Sequence, residues 1–181
     1  MRVCSRLLIS LCSMLGLLAP GSATTLQQLT IDDMIQKSTA IVRARVTGSH
    51  SAYRGASIYT YFQIQVLETW KSSGPAATEV AIPGGVANGI RQSVAGAPAL
   101  KTGEDYVLFL WAGPSGLPQV IGLSQGVFKL SEGGSGDVVA QRPAASELML
   151  DASGLPVDDR PVSMHLQDLR TRVLRAQKAV Q

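Results

Sequence analysis

The stretch Gly122–Gly126 matches the G-x-S-x-G pattern that surrounds the nucleophile of many serine hydrolases. Asp158 and His165 follow Ser124 in the chain order in which those enzymes carry the other two members of their catalytic triad. One hypothesis is therefore a small secreted serine hydrolase that uses Ser124. Such a serine stands on a sharp turn between a strand and a helix, so the neighbouring elements decide the question.

The residues around Ser124 favour a turn over a nucleophile. Residues 126–130, GVFKL, alternate in the manner of a β-strand, and no helix pattern follows the serine. Asp158 is next to Asp159 in a polar stretch, which is typical of a solvated pair, and His165 borders an apolar helical stripe. We predict a short hairpin at Ser124 and no catalytic residue, with the hydrolase kept as the alternative.

The residue types and their spacing give little indication of a metal-binding or phosphate-binding site. The chain has two histidines, His50 and His165, too few for ligand spacings such as H-E-x-x-H. The glycines within residues 84–89 lack the Gly-Lys-Ser/Thr ending of a phosphate-binding loop. We therefore predict no metal site and no cofactor.

Residues 1–23 have the composition of a secretory signal peptide. Arg2 and Arg6 precede an apolar run, and the triplet GSA supplies small residues at the cleavage positions. We predict export to the periplasm or the medium, cleavage before Thr24, and no stable membrane anchor afterwards. A lipoprotein acylated at Cys12 is an alternative, although that cysteine lies midway through the apolar run.

Cleavage would change both the cysteine content and the charge. Cys4 and Cys12 are the only cysteines, so the mature chain would have no thiol and no disulfide. Without Arg2 and Arg6, 14 basic residues remain against 13 acidic ones, a net charge of +1 in place of +3. This charge gives no sign of nucleic-acid binding, and we predict no such partner.

The remaining sequence predicts a β domain at residues 24–141. Thr30, as N-cap, begins a short helix over residues 31–37. Residues 48–56 are predicted as a hairpin-like loop that links the first two strands. The strand patterns are, in chain order, TAIVRARV, SIYTYFQIQVLETWK, TEVAIP, DYVLFLW, PQVIG and GVFKL, with DVVAQ extending the last hairpin.

The C-terminal part predicts a linker and an amphipathic helix. Residues 142–162 are rich in Pro, Ala, Ser and Asp, which favours a loose linker. Residues 163–181 predict a helix with Ser163 as N-cap, packed on or flanking the barrel. Its apolar stripe consists of Leu166, Leu169, Val173, Ala176 and Val180.

The order of these elements resembles the netrin-like module, whose best-known members are the tissue inhibitors of metalloproteinases. The resemblance covers residues 29–130: a short helix precedes the strands STAIVRARVTG and YTYFQIQVLETWKSS, and LKTGEDYVLFLW opens a later strand. It implies a mostly β fold, a five- to six-stranded antiparallel OB-type barrel with a short N-terminal helix and a C-terminal amphipathic helix. Those inhibitors bind the protease zinc through an N-terminal cysteine, whereas the terminus predicted here is Thr24.

Residues 82–103 combine many glycines with few charges, which is unusual for a connection of this length. One hypothesis is a recognition lip at one end of the barrel, with Asn88, Arg91 and Gln92 as exposed polar groups. The equally weighted alternative is that aliphatic side chains of this segment plug the barrel mouth. Those side chains are Val86, Ile90 and Val94.

These patterns favour an exported, non-enzymatic binding or interaction module over an enzyme. A protein is the expected partner, and a secreted protease is one that the family resemblance suggests. The alternatives are the serine hydrolase using Ser124 and a non-chelating inhibitor or partner of a secreted protease.

Overall fold

The computed structural model describes residues 25–114, 116–134 and 136–178, so the predicted signal peptide lies outside the described residues. The fold is mostly β, with 50% strand and 16% helix, as the sequence predicts. No helix in the described part of the chain is long and apolar enough to cross a membrane.

Helix α1 spans Ile31–Lys37 and helix α2 spans Leu166–Lys178, while a 3₁₀ helix spans Leu123–Gly126. The strands are β1 (Thr25–Gln27), β2 (Ala40–Arg54), β3 (Ser57–Ser72), β4 (Glu79–Pro83), β5 (Gly85–Ala87), β6 (Ile90–Gln92), β7 (Asp105–Ala112), β8 (Pro118–Val120), β9 (Val127–Glu132), β10 (Val138–Arg142), β11 (Leu148–Leu150), β12 (Pro156–Val157) and β13 (Val162–His165).

Eight strands form one sheet in the order β13-β10-β9-β7-β2-β3-β4-β8. Strand β8 also pairs with β7, so the pairings run in a circuit through β7, β2, β3, β4 and β8. All pairs in this sheet are antiparallel except β4–β8, which meet in parallel at Ala81 and Gln119.

Strand β7 contributes residues to both apolar clusters in the described part of the chain. Tyr106, Leu108 and Leu110 point to the inner side of the circuit, where they pack with apolar residues of β2, β3 and β4. Val107 and Phe109 point to the other side, against α1 and α2. The nearly continuous apolar run DYVLFLW follows from this, because both faces of the strand are buried.

Helix α1 has the predicted bounds and the predicted start. Thr30 Oγ1 accepts a hydrogen bond from the Asp33 backbone N–H at 3.1 Å, and Asp33 Oδ2 accepts one from the Thr30 N–H at 3.0 Å. This reciprocal capping box satisfies two N–H groups that the first turn leaves free. The helix then buries Met34 and Ile35 in the outer cluster.

Helix α2 begins three residues later than the sequence suggests. Ser163 lies in β13, which pairs with β10, so it is not the N-cap of the helix. The predicted stripe is present: Leu166, Leu169 and Val173 are buried against the sheet. Val180 lies outside the described residues.

The hairpin predicted over residues 48–56 is present, but its loop is shorter than predicted, because β2 and β3 continue to a turn at Gly55 and Ala56. Cross-strand pairs stabilise this polar stretch. The rings of His50 and Tyr61 stack with centroids 5.2 Å apart, and the hydroxyls of Ser51 and Thr60 lie 3.0 Å apart. Such pairs form only once the strands meet, so the single-strand pattern does not reveal them.

Residues 142–162, for which composition predicts a linker, contain β11 and β12. Strand β11 pairs in parallel with β1 and antiparallel with β12. Met149 on β11 is 1% exposed. The segment is therefore held by partners that are distant in the chain.

Candidate interaction surface

Ser124 lies in the 3₁₀ helix between β8 and β9, and both of these strands pair with β7. Leu110 pairs with Val120 and Leu108 with Val127, so the two strands follow one another along one edge of β7. The hairpin predicted at Ser124 is therefore wrong. The G-x-S-x-G stretch is an irregular turn within an interrupted strand, where Gly122 has φ +61°.

The three residues of the hypothetical triad are not joined by hydrogen bonds. The Ser124 hydroxyl is buried and has no hydrogen-bond partner among the described residues. His165 is exposed at the end of β13, and Asp158 is exposed in the segment before it. A serine nucleophile needs a base within hydrogen-bond reach, and this arrangement provides none to Ser124.

Gln125, next to the serine, has a structural role that the sequence did not indicate. Its side chain is 1% exposed and bridges the N-terminal segment to the 3₁₀ helix. Gln125 Oε1 accepts a hydrogen bond from the Leu29 N–H at 2.8 Å, and Nε2 donates to the Gln27 carbonyl at 3.0 Å. The partners are almost 100 residues away, so no local signal could have revealed them.

Residues 82–103 include a hairpin formed by β5 and β6. Its turn consists of Asn88, with φ +50°, and Gly89, with φ +77°. Two residues with positive φ are the requirement of a type I′ turn, and Asn-Gly is the dipeptide that best meets it. That dipeptide was the sequence signal for this hairpin.

The side chains of this hairpin do not plug the circuit. Ile90 is 58% exposed and Val86 is 46% exposed, whereas Val94 is half-buried. Leu100, later in the segment, is the residue that enters the inner apolar cluster, at 7% exposed. The plug hypothesis is therefore wrong for Val86 and Ile90.

The three polar residues proposed for recognition have different environments. Asn88 and Arg91 are exposed. Gln92 is half-buried, and its Oε1 accepts a hydrogen bond from the Ile58 backbone N–H at 2.6 Å. Gln92 therefore attaches the β5–β6 hairpin to the β2–β3 hairpin.

Close packing holds these two hairpins side by side. The Thr60 hydroxyl donates to the Gly84 carbonyl at 2.8 Å. A Cβ atom on Gly85 would lie 2.5 Å from Thr60 Oγ1 and 2.6 Å from Ser51 Oγ, so only glycine fits there. We call residues 50–58 and 85–92 together the distal end.

The distal end exposes apolar and cationic side chains. Tyr53, near the end of β2, is 41% exposed, compared with 46% for Val86 and 58% for Ile90. Arg54 and Arg91 are exposed, and neither lies in an ion pair among the described residues. The sequence has no Asp or Glu over residues 34–67 or 80–103.

The described residues also contain a buried ion pair in the C-terminal part. Arg142 Nη1 lies 2.6 Å from Asp159 Oδ2, and their side chains are 7% and 3% exposed. Burial opposes ionisation of Asp159, but Arg142 and the Ala145 N–H outweigh it and lower the pKa of that carboxyl to about 2. This pair connects β10 to the segment before β13 and leaves its charge compensated.

A cavity of about 470 Å³ lies near the start of β2 and the end of β7, and mostly small residues such as Ala77, Ala112 and Pro118 line it. Side-chain hydroxyls at its wall are already bonded, since Thr39 donates to Leu110 and Ser73 donates to Thr39. Glu79 also lines it, and the Glu79 carboxylate forms no ion pair among the described residues. The described residues contain no group of three potential metal-ligating side chains.

Comparison with known proteins adds no family. No protein-family model matches the chain, and no curated protein matches it significantly.

Proposed function

We propose that this chain is an exported, non-enzymatic binding module that contacts a protein partner with its distal end. One observation carries the proposal: Tyr53, Val86 and Ile90 are left 41–58% exposed on two hairpins that are packed rigidly against each other. The proposal treats these side chains of the distal end as one contact surface, because grouped exposed apolar residues mark interaction sites. The resemblance to the netrin-like module suggests a secreted protease as one such protein partner.

The environment of Ser124 supports a non-enzymatic function. Its hydroxyl is buried without a partner, and the exposed His165 makes no bond to it. A fluorophosphonate probe should therefore leave the protein unlabelled, with Ser124→Ala as the matched control. Labelling that disappears in the variant would support the serine hydrolase instead.

The order of the strands supports an OB-type barrel as the finer fold. The first four strands of the circuit lie in the spatial order β7-β2-β3-β4, in which the fourth returns beside the first. This is the Greek-key order, and OB folds are five-stranded Greek-key barrels. Strand β8 would then be the closing strand, through its pairs with β4 and β7.

Export is tested by the mass of the mature protein. The charged start, the apolar run and the small triplet of residues 1–23 support cleavage before Thr24. Mass spectrometry of the exported fraction should find Thr24 at the N-terminus. An intact Met1 or a lipid on Cys12 would contradict the proposed localisation.

The contact surface is tested by capture of partners from the culture fluid or periplasm of the producing cell. The double variant Val86→Ser/Ile90→Ser should lose the captured protein, because it removes the exposed apolar groups without disturbing a core. Leu155→Ser is the matched control, since Leu155 is 62% exposed on a different part of the surface. Equal capture by all three proteins would contradict the proposed surface.

A further inference from the structure

The distal end differs from the rest of the described surface in charge as well as polarity. Arg54 and Arg91 are its charged residues, and neither residues 50–58 nor residues 85–92 contain a carboxylate. Elsewhere the exposed arginines Arg45 and Arg172 form ion pairs at 2.6 and 2.8 Å, whereas Arg160 and Arg175 lie in none among the described residues. The two distal arginines are therefore free to meet carboxylates of another molecule.

The register places Arg91 beside one of the exposed apolar groups. Arg91 pairs directly with Val86 across the β5–β6 hairpin, and directly paired residues share a face. Arg54 follows Tyr53, whose cross-strand partner Ile58 donates its backbone N–H to Gln92. Arg91 thus shares a face with Val86, while Arg54 is the chain neighbour of Tyr53.

From this arrangement we infer that the distal end selects a protein whose apolar contact site is bordered by carboxylates. The inference rests on the proposed function and adds the chemistry of the partner. A planar guanidinium binds a carboxylate through two parallel hydrogen bonds, so arginine suits such a border. Rim charges of this kind act mainly on association rate and partner choice.

The number of cations favours an acidic protein over a lipid surface. Recognition of anionic lipid typically uses clusters of about 4 to 8 Lys and Arg residues. Two arginines on separate hairpins are fewer than such a cluster contains. They are also fewer than the cations with which a protein typically contacts the phosphates of a nucleic acid. Tyr53, Val86 and Ile90 supply the apolar contact that a protein site would cover.

Photo-crosslinking tests the inference on the whole mature protein. A benzophenone amino acid replaces Ala56, which is exposed in the β2–β3 turn, and the protein is irradiated in extracts of the producing cell. In Arg54→Glu/Arg91→Glu the yield of the crosslinked protein should fall about tenfold or more. The same yield should fall as NaCl rises from about 50 to about 300 mM, because salt screens exposed charges.

The matched control is Arg175→Glu/Lys178→Glu, which reverses two exposed cations outside the distal end and should leave the yield unchanged. The crosslinked protein should also bind an anion-exchange resin. A yield that survives reversal of Arg54 and Arg91 but is lost in Val86→Ser/Ile90→Ser overturns this inference and leaves the proposed function intact. No crosslink, or one insensitive to both double variants, overturns the proposed function itself.

A vesicle arm tests the other source of negative charge. Wild type is sedimented with phosphatidylcholine vesicles that contain about 30% phosphatidylglycerol, and with vesicles that contain none. Neither should retain the protein. Retention on the anionic vesicles that is lost in Arg54→Glu/Arg91→Glu would overturn the assignment to a protein partner.

Discussion

At the scale of single residues, the Arg142–Asp159 pair links the end of β10 to the segment that precedes β13. Hydrogen bonds surround it: Arg142 donates to Asp159 at 2.6 and 3.0 Å, and the Ala145 N–H donates to the same carboxylate. Arg142 also donates to the carbonyls of Pro143 and Arg160, each at 3.3 Å. A buried charge of this kind is tolerated because its partner and its hydrogen bonds are present together. Removing either partner leaves the other charge buried and uncompensated.

We therefore expect Asp159→Asn to lower the free energy of unfolding by about 3–5 kcal/mol. Urea unfolding followed by circular dichroism measures the loss. Asp158→Asn is the matched control, because Asp158 is exposed and surface substitutions change stability by about 0.5 kcal/mol or less. Similar losses in both variants would contradict the role assigned to the pair.

The same carboxyl predicts a dependence of stability on pH. Its pKa is about 2 in the folded protein against 3.8 for the free side chain, so the folded state favours the ionised form. The stabilisation is complete above about pH 4 and is lost as pH falls from about 4 towards 2. Acid unfolding of wild type and Asp159→Asn should therefore converge over this window, and parallel curves would contradict the prediction.

Leu100 and Ile90 belong to the same segment but should respond differently to truncation. Leu100→Ala removes a side chain from the inner cluster, for which we expect a loss of about 2–5 kcal/mol. Ile90→Ala should change stability by about 0.5 kcal/mol or less, because Ile90 is 58% exposed. Thermal and urea unfolding compare the two, and equal losses would show that the hairpin is buried in solution.

At the scale of elements, Gly85 is the position that lets the β5–β6 hairpin lie against β2 and β3. It has φ +141°, and a Cβ atom there would meet the hydroxyls of Ser51 and Thr60. We expect Gly85→Ala to detach this hairpin, at a cost of about 1–3 kcal/mol for the strained backbone. Hydrogen exchange should show faster amide exchange over residues 85–92.

Gly74→Ala is the control for that substitution, because a Cβ atom on Gly74 meets nothing within 4 Å. It should leave exchange in the hairpin unchanged. If Gly85→Ala also leaves it unchanged, the packing of the two hairpins is not what fixes the distal end.

Local signals explain which elements the sequence could predict. The Thr30 and Asp33 spacing is a complete capping box, and the alternation of Val42, Ala44 and Val46 indicates one buried face of β2, which the structure has. The polar stretch of residues 48–56 has no such periodicity. Pairing across the hairpin stabilises it instead, and this pairing leaves no pattern within the stretch itself. The part of the fold that long-range partners hold together was therefore not predictable.

The candidate surface was predictable in the same partial way. Low charge and glycine content indicated that residues 82–103 are exceptional, and Asn88 and Arg91 are exposed as the lip hypothesis requires. The hydrogen bond of Gln92 to Ile58 and the exposure of Ile90 depend on how the hairpin packs. Their positions in the sequence carry no mark of this.

At the scale of the whole molecule, β7 links the two apolar clusters. Leu108 faces the inner cluster and Phe109 faces α1 and α2, so neither cluster can lose its order without exposing one face of the same strand. Leu108→Ala truncates a side chain of the inner cluster, and Leu169→Ala truncates one of the cluster on the other side of β7. Each should cost about 2–5 kcal/mol, and unfolding should remain a single transition by far-UV and near-UV circular dichroism.

The strongest test of this coupling is truncation after Gln141. It removes Arg142 at the end of β10 together with β11 to β13 and α2, and thereby uncovers the face that carries Trp70, Phe109 and Phe128. We expect residues 24–141 to lack cooperative unfolding and to bind a hydrophobic dye, because the partners that cover this face are gone. Fluorescence of Trp70 in a Trp111→Phe background should report an exposed indole. A truncated chain that unfolds in one sharp transition with Trp70 still buried would show that residues 142–162 are a linker after all and that α2 is only an appendage.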